Sequence, residues 1–148
     1  MFMGNYAHKL DPKSRVAIPA NWRVVYGQEL VMLASTYHDY NIIKCYTQES
    51  FATKLNEIRT RALADGFDMG EVDEYIGVIA GNSFAAEVNA QGKLLIPKAQ
   101  RDRLQLKDTT QLVGRTSHFE LWLPEDFAAD NSPKLRKDSL LDKKFRML

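Results

Sequence analysis

The strongest constraint on this chain is that it is written twice. Tyr6-Ala7, Leu10-Asp11-Pro12-Lys13-Ser14-Arg15-Val16-Ala17-Ile18-Pro19 and Arg23 align, at an offset of 78, with Phe84-Ala85, Val88-Asn89-Ala90-Gln91-Gly92-Lys93-Leu94-Leu95-Ile96-Pro97 and Arg101. Further on, Ile43 to Ala52 matches Phe119 to Ala128 at an offset of 76. Two matches in the same order mark a duplication, and the change of offset asks for a two-residue deletion in the second loop, which surface loops tolerate. A unit of about 45 residues buries a core poorly by itself. The two copies are therefore expected to pack as one pseudo-symmetric body.

Each copy has the same local grammar. A short apolar run, Tyr6 to Leu10 or Phe84 to Val88, meets a polar turn, Asp11-Pro12-Lys13-Ser14 or Asn89-Ala90-Gln91-Gly92. Asp and Asn suit such turns because their side chains bond the backbone two residues on. A second strand follows, Arg15 to Ile18 or Lys93 to Ile96, ended by Pro19 or Pro97, each of which fits the first position of a helix. The first of these helices is expected to stop at Gly27. Strands are expected at Glu29–Ala34, Tyr40–Tyr46, Gln111–Gly114 and His118–Leu123. Helix starts follow at Thr47, as N-cap, and at Pro124. Between the copies, Phe51, Leu55, Ile58 and Ala62 recur on one helical face; Asp65-Gly66-Phe67 ends that helix, and Glu71 to Ile79 makes a second short one.

Composition narrows the function classes. The 148 residues are 45% hydrophobic and 26% charged, an ordinary globular balance, with a net charge of +1 that names no partner. Charge is nevertheless segregated. Residues 1–25 carry four basic residues against one acid, and residues 26–80 carry four against nine. Local field rather than net charge attracts a polyanion. No run is long and apolar enough to span a membrane, and the start lacks the pattern of a signal peptide, so a cytosolic chain is expected. One cysteine excludes a disulfide framework or a cysteine-based zinc site. His8, His38 and His118 show no metal or triad spacing, and there is no phosphate-cradling glycine loop. Cys45 aligns with Leu121 and reads as a core residue; the acids Asp65, Asp68, Glu71, Asp73 and Glu74 read as a solvated edge. No enzyme, no metal and no cofactor is expected.

The opening Met1-Phe2-Met3-Gly4, the segment Leu10 to Pro19, the second-copy Gly92 to Pro97 and the closing Phe119-Glu120-Leu121-Trp122 resemble the MraZ family. Its members are bacterial regulators with two tandem AbrB/SpoVT-type modules, and the likeness covers roughly residues 1–128. The resemblance implies an α+β, mainly β fold, a pseudo-symmetric double AbrB/SpoVT-like swapped-hairpin β barrel with short flanking helices. Modules then occupy residues 5–52 and 81–124, with a helical connector at 53–80 and a helix start and basic tail at 125–148. It further implies a homo-oligomeric ring that binds repeated sites in double-stranded promoter DNA. Such a ring would repress its own promoter and the division and cell-wall genes behind it, as a cytoplasmic, nucleoid-associated protein. The family pattern Asp-x-x-x-Arg stands in copy one as Asp11 and Arg15, while copy two has Asn89 and Lys93. Lysine lacks the planar fork of arginine, so the specific contact is assigned to copy one.

On this reading Arg15 reads bases, because guanidinium can donate twice to guanine. Lys9 and Lys13 touch phosphates, and Arg23 does so from the helix behind. Asp11 holds the turn while Arg15 points outward; the alternative for this pair is a salt bridge across the turn. The other function kept open is a ring-forming assembly protein in which DNA binding is secondary, using Trp22, Trp122, Phe127 and the Phe51–Ala62 face as core or interface. The tail, with Leu141, Phe145 and Leu148 at helical spacing, six basic residues and Asp138 and Asp142, is a docking helix, a DNA-touching arm or a frayed end.

Overall fold

The computed structural model describes residues 1–148. Its strands are β1 (Asn5–Lys9), β2 (Arg15–Ala17), β3 (Glu29–Tyr37), β4 (Tyr40–Thr47), β5 (Ser83–Glu87), β6 (Lys93–Leu95), β7 (Thr109–Gly114) and β8 (Phe119–Trp122). Its α-helices are α1 (Gln48–Ala64), α2 (Met69–Gly81), α3 (Lys98–Leu104), α4 (Pro124–Ala129), α5 (Ser132–Arg136) and α6 (Leu140–Phe145). The class is α+β with antiparallel pairing throughout. Helices hold more residues than strands, because the connector and the tail are helical, so the expected weighting toward β is corrected.

Six strands form one sheet in the order β1-β7-β8-β4-β3-β5, and β2 and β6 form a separate two-stranded ribbon. The order reads the same when the copies are exchanged. The first strand of copy one pairs with the third of copy two, and the reverse pairing occurs at the other edge. At the centre Lys44 faces Glu120, two residues that the repeat alignment makes equivalent, so the pseudo-twofold axis passes between them. Neither copy can complete its share of the sheet without the other.

Alternation along the strands separates two faces. Leu30, Met32, Ile43, Cys45, Leu112, Phe119 and Leu121 point into the main core, where Val16, Ile18, Leu94 and Ile96 close over them from the ribbon. Trp22 fills the middle with its ring 5.5 Å from Phe2 and 5.2 Å from Phe119. Ile42, Val113 and Trp122 make a smaller core on the opposite face, with Phe127 against it. Both tryptophans thus belong to the interior.

Two local expectations are corrected, and one open alternative is set aside. The segment after Pro19 is a 3-10 helix, Ala20–Val25, with Trp22 off helical geometry, because the chain bends there to bury that ring. The offset change is a net figure. Val31 faces Tyr46 and Gln111 faces Trp122, so the hairpin of copy two is shorter by four residues; two are regained before β7. Finally, the tail is folded rather than frayed, with α5 and α6 both formed.

Candidate nucleic-acid interface

The two polar turns have the same backbone and nearly the same bonds. Asp11 Oδ1 accepts the N–H groups of Lys13 and Arg15, each at 2.9 Å. Asn89 Oδ1 accepts those of Gln91 and Lys93 at 3.0 and 2.9 Å. The turn then needs a left-handed residue, which is Ser14 at φ 62° in copy one and Gly92 at φ 78° in copy two. A side-chain carbonyl oxygen is enough to hold this turn, so the acid of copy one has a second task. Arg15 Nε donates to Asp11 Oδ2 at 2.8 Å. The backbone N–H of Arg15 is the largest of several influences that hold the Asp11 carboxyl below its ordinary value.

The alternative for this pair, a salt bridge across the turn, is formed. Both readings of the pair hold together, because Asp11 engages only Nε and leaves the terminal nitrogens of Arg15 without a partner in the chain. A guanidinium oriented from behind still presents its fork forward.

The ribbon brings a fourth cation to this place. Arg15 faces Leu95 and Ala17 faces Lys93 across the β2–β6 pair, so Arg15 and Lys93 are diagonal neighbours on one face, at roughly 7–8 Å between backbones. That face points outward, since the intervening Val16 and Leu94 are fully buried. Leu10 bridges to Val16, which sets Lys9 beside Ala17 on the same outer surface; likewise Val88 bridges to Leu94 and sets Glu87 beside Leu95. Lys9, Lys93, Arg15 and the exposed Lys13 therefore surround Ala17 and the first turn. The matching position in copy two holds Glu87, itself opposite Glu29 in the sheet, so the positive patch lies off-centre toward copy one. Arg23 is exposed on the 3-10 helix, where its Nε donates to Ala20 O at 3.0 Å.

Sequence reasoning set Lys93 aside because it judged copy two by its departure from the family pattern. The signal that could have found it was the duplication itself, since equivalent strands often meet across a pseudo-twofold axis.

A second polar cluster was also missed. Glu120 is 3% exposed and sits on the face of β8 that carries the smaller core, between His118 and Trp122 at alternate positions. Its Oε1 accepts from Arg115 Nε and Trp122 Nε1, both at 3.0 Å, and His118 Nε2 lies 3.2 Å from Oε2. Burial alone would raise the Glu120 carboxyl, but the bonds from His118 and Trp122 and the charge of Arg115 outweigh it and hold the group below its ordinary value. A group depressed in the folded state contributes stability that is complete above the ordinary carboxylate range and drains away as pH falls through the folded value. Glu120→Gln is expected to cost about 1.5–3 kcal/mol at neutral pH and to flatten the acid limb. Urea midpoints of both proteins between neutral pH and about pH 3 check this; equal acid slopes would refute it. Through Glu120 the cluster ties Arg115 and His118 of the β7–β8 turn to Trp122.

Cys45 lies fully inside the core, where burial pushes its thiol well up. The acids of the connector form no group of three placed to hold a metal ion. Asp68 instead caps α2, accepting from Gly70 N at 2.9 Å. No helix is long and apolar enough to cross a membrane.

No protein-family model matches the chain. Several proteins described as "Transcriptional regulator MraZ" are similar to it over most of its length. That of Desulfitobacterium hafniense (strain DSM 10664 / DCB-2) is 30% identical over 122 residues, 82% of this chain and 80% of the relative. That of Rickettsia canadensis is 28% identical over 130 residues, 86% and 84% of the two chains. That of Leuconostoc mesenteroides is 26% identical over 131 residues, 87% and 85%. The solution structure of PHS018 from Pyrococcus horikoshii superposes with a TM-score of 0.35 at 16% identity, covering 83% of this chain and 91% of that one, a likeness too loose to carry any argument. The agreement at 30% identity across four-fifths of both chains places this protein in the MraZ family of transcriptional regulators.

Proposed function

We propose that this protein is a sequence-specific DNA-binding repressor that acts on its own promoter and on the division and cell-wall genes that follow. The observation that carries this reading is the outward surface of the ribbon, where Lys9, Lys13, Arg15 and Lys93 converge around one turn. Exposed β-ribbons bearing such side chains enter the major groove. Arg15 reads a guanine with its free fork, and Lys9, Lys13 and Lys93 contact phosphates. Arg23 adds a flanking phosphate contact from the 3-10 helix. The off-centre charge means that one copy's half of the ribbon carries the specificity and the other contributes affinity. The reciprocal strand order supports a double swapped-hairpin barrel, with modules at 5–52 and 81–124, the connector at 53–80 and the basic tail from 125 onward. Several copies in a ring would engage repeated promoter sites, so that weak single contacts multiply through effective concentration. Such a protein works in the cytoplasm, on the nucleoid.

Footprinting on the gene's own upstream region across a salt series tests the reading. Protection of evenly spaced repeats is expected, whereas uniform or absent protection would sink it. Lys93→Ala gives a finer measure. Loss of one phosphate contact per subunit lowers the slope of log affinity against log salt by roughly 0.9 per contact, and it weakens target and scrambled DNA alike. An unchanged slope would remove Lys93 from the interface. The alternative of an assembly protein in which DNA binding is secondary draws on the exposed apolar side chains of the connector and tail. A chain that forms large particles yet protects no upstream repeat would favour it.

A further inference from the structure

We propose that the carboxy-terminal tail of one copy of this chain docks into a groove on the α1–α2 hairpin of a second copy. The tail is folded, but around a carboxylate rather than an apolar core. Ser139 Oγ accepts from Asp142 N at 3.2 Å, and the buried Asp142 carboxylate accepts from Asp138 N at 3.0 Å and Leu148 N at 2.8 Å. Those bonds hold the segment while its apolar side chains face solvent. Leu141 is 70% exposed and Phe145 62%, one turn apart on the same side of α6, and Leu148, past the left-handed Arg146 that ends the helix, is 68% exposed. A helix of this length is unstable by itself. A preorganised segment that presents apolar anchors lowers the ordering cost of binding.

The hairpin offers the complementary surface. Ile58, Ala62, Phe67, Glu71, Val72 and Tyr75 line a groove of about 410 Å³ between α1 and α2. Phe67 and Tyr75 are more than half exposed at its rim. Charge matches as well. The tail carries Lys143, Lys144 and Arg146 beside its anchors, with no acidic partner, while Asp65, Glu71 and Glu74 of the hairpin pair with no cation. Apolar anchors set among lysines thus match an apolar groove whose one charged lining residue is Glu71.

The groove's occupant belongs to another copy. No tail residue lines it within this chain, where Leu135 instead sits beside His38 and Tyr40 at the β3–β4 turn. Each copy offers one tail and one groove, which is a head-to-tail contact, and contacts of that type build a ring when the rotation between neighbours closes and a filament when it does not. The inference rests on the oligomeric part of the function proposed above and names the surfaces that make it.

Mass in solution, measured by light scattering on the full chain, tests this directly. The double variant Leu141→Asp, Phe145→Asp changes only exposed side chains and should keep its circular dichroism, while particle mass falls at least about twofold. Glu71→Lys with Glu74→Lys, and separately Lys143→Glu with Lys144→Glu, should each reduce mass, and the chain carrying all four should recover it. A chain with Tyr75→Cys and Phe145→Cys should cross-link between copies on oxidation. Full-size particles from the Asp variant, no recovery in the fourfold variant, or cross-links confined to single chains would each overturn the docking. If the unaltered chain assembles and the tail variants assemble equally, the docking falls while the ring stands. If the unaltered chain is a monomer, the ring falls with it.

Discussion

Arg15→Ala is expected to lower affinity for the chain's own upstream DNA by about 5- to 150-fold per engaged site, the equivalent of roughly 1–3 kcal/mol for a bidentate guanine contact. The loss should be confined to the target, so that binding to a scrambled duplex, carried by the three lysines, changes far less. Fluorescence anisotropy on both duplexes at one fixed salt concentration measures the difference. Arg15→Lys should behave nearly like alanine on the target, because an ammonium keeps the charge but not the fork. Stability is the internal control. The Arg15–Asp11 pair has side chains 36% and 21% exposed, and solvent screening leaves such a pair little to contribute to stability. A variant that melts like the parent yet loses discrimination places Arg15 on the DNA. Equal losses on both duplexes would make it one more phosphate contact, and no loss would remove it from the mechanism.

Gly92→Ala is expected to be among the most destabilising single substitutions in the chain. Gly92 sits at φ +78°, and a Cβ built there would lie 2.2 Å from Cζ of the Tyr26 ring. The ring cannot retreat freely, because its hydroxyl donates to Ile18 O at 2.8 Å. Ile18 N in turn donates to Gly92 O at 2.8 Å, so the displacement passes into the ribbon that carries Arg15 and Lys93. Left-handed strain of about 1–2 kcal/mol adds to about 1–3 kcal/mol of overpacking. Out of a total stability of about 5–15 kcal/mol, that is a large share. Thermal melting should drop by roughly 4–20 °C, at about 2–4 °C per kcal/mol for a chain of this size. Gly27→Ala isolates the backbone contribution, since Gly27 has φ +77° but nothing within 4 Å of the position its Cβ would take. If the two variants melt together, the ring contact contributes nothing.

Much of the local structure was legible. The Asp11 and Asn89 turns, the strands on either side of them, the Thr47 cap and the α1 face through Phe51, Leu55, Ile58 and Ala62 all follow from residue type and period. Each depends on neighbours within a few positions. The 3-10 helix at Ala20–Val25 was missed because burial of Trp22 in the shared core overrides the helix signal of Pro19. The tail was left open among three readings. Its order comes from the Asp142 carboxylate, which gathers backbone donors four residues before it and six after it, and the helical spacing of Leu141 and Phe145 does not announce that.

By itself the sequence determined that two copies exist, where each turn falls, and which residue types stand at Asp11, Arg15, Asn89 and Lys93. Only the tertiary structure decided which strand pairs with which. Alternation tells a strand which side faces the core, but an antiparallel neighbour from either copy satisfies it equally well. The reciprocal pairing of β1 with β7 and β5 with β3 therefore had to be seen. The union of Arg15 with Lys93 on one outer face follows from it, as does the opposition of Lys44 and Glu120 at the pseudo-twofold axis.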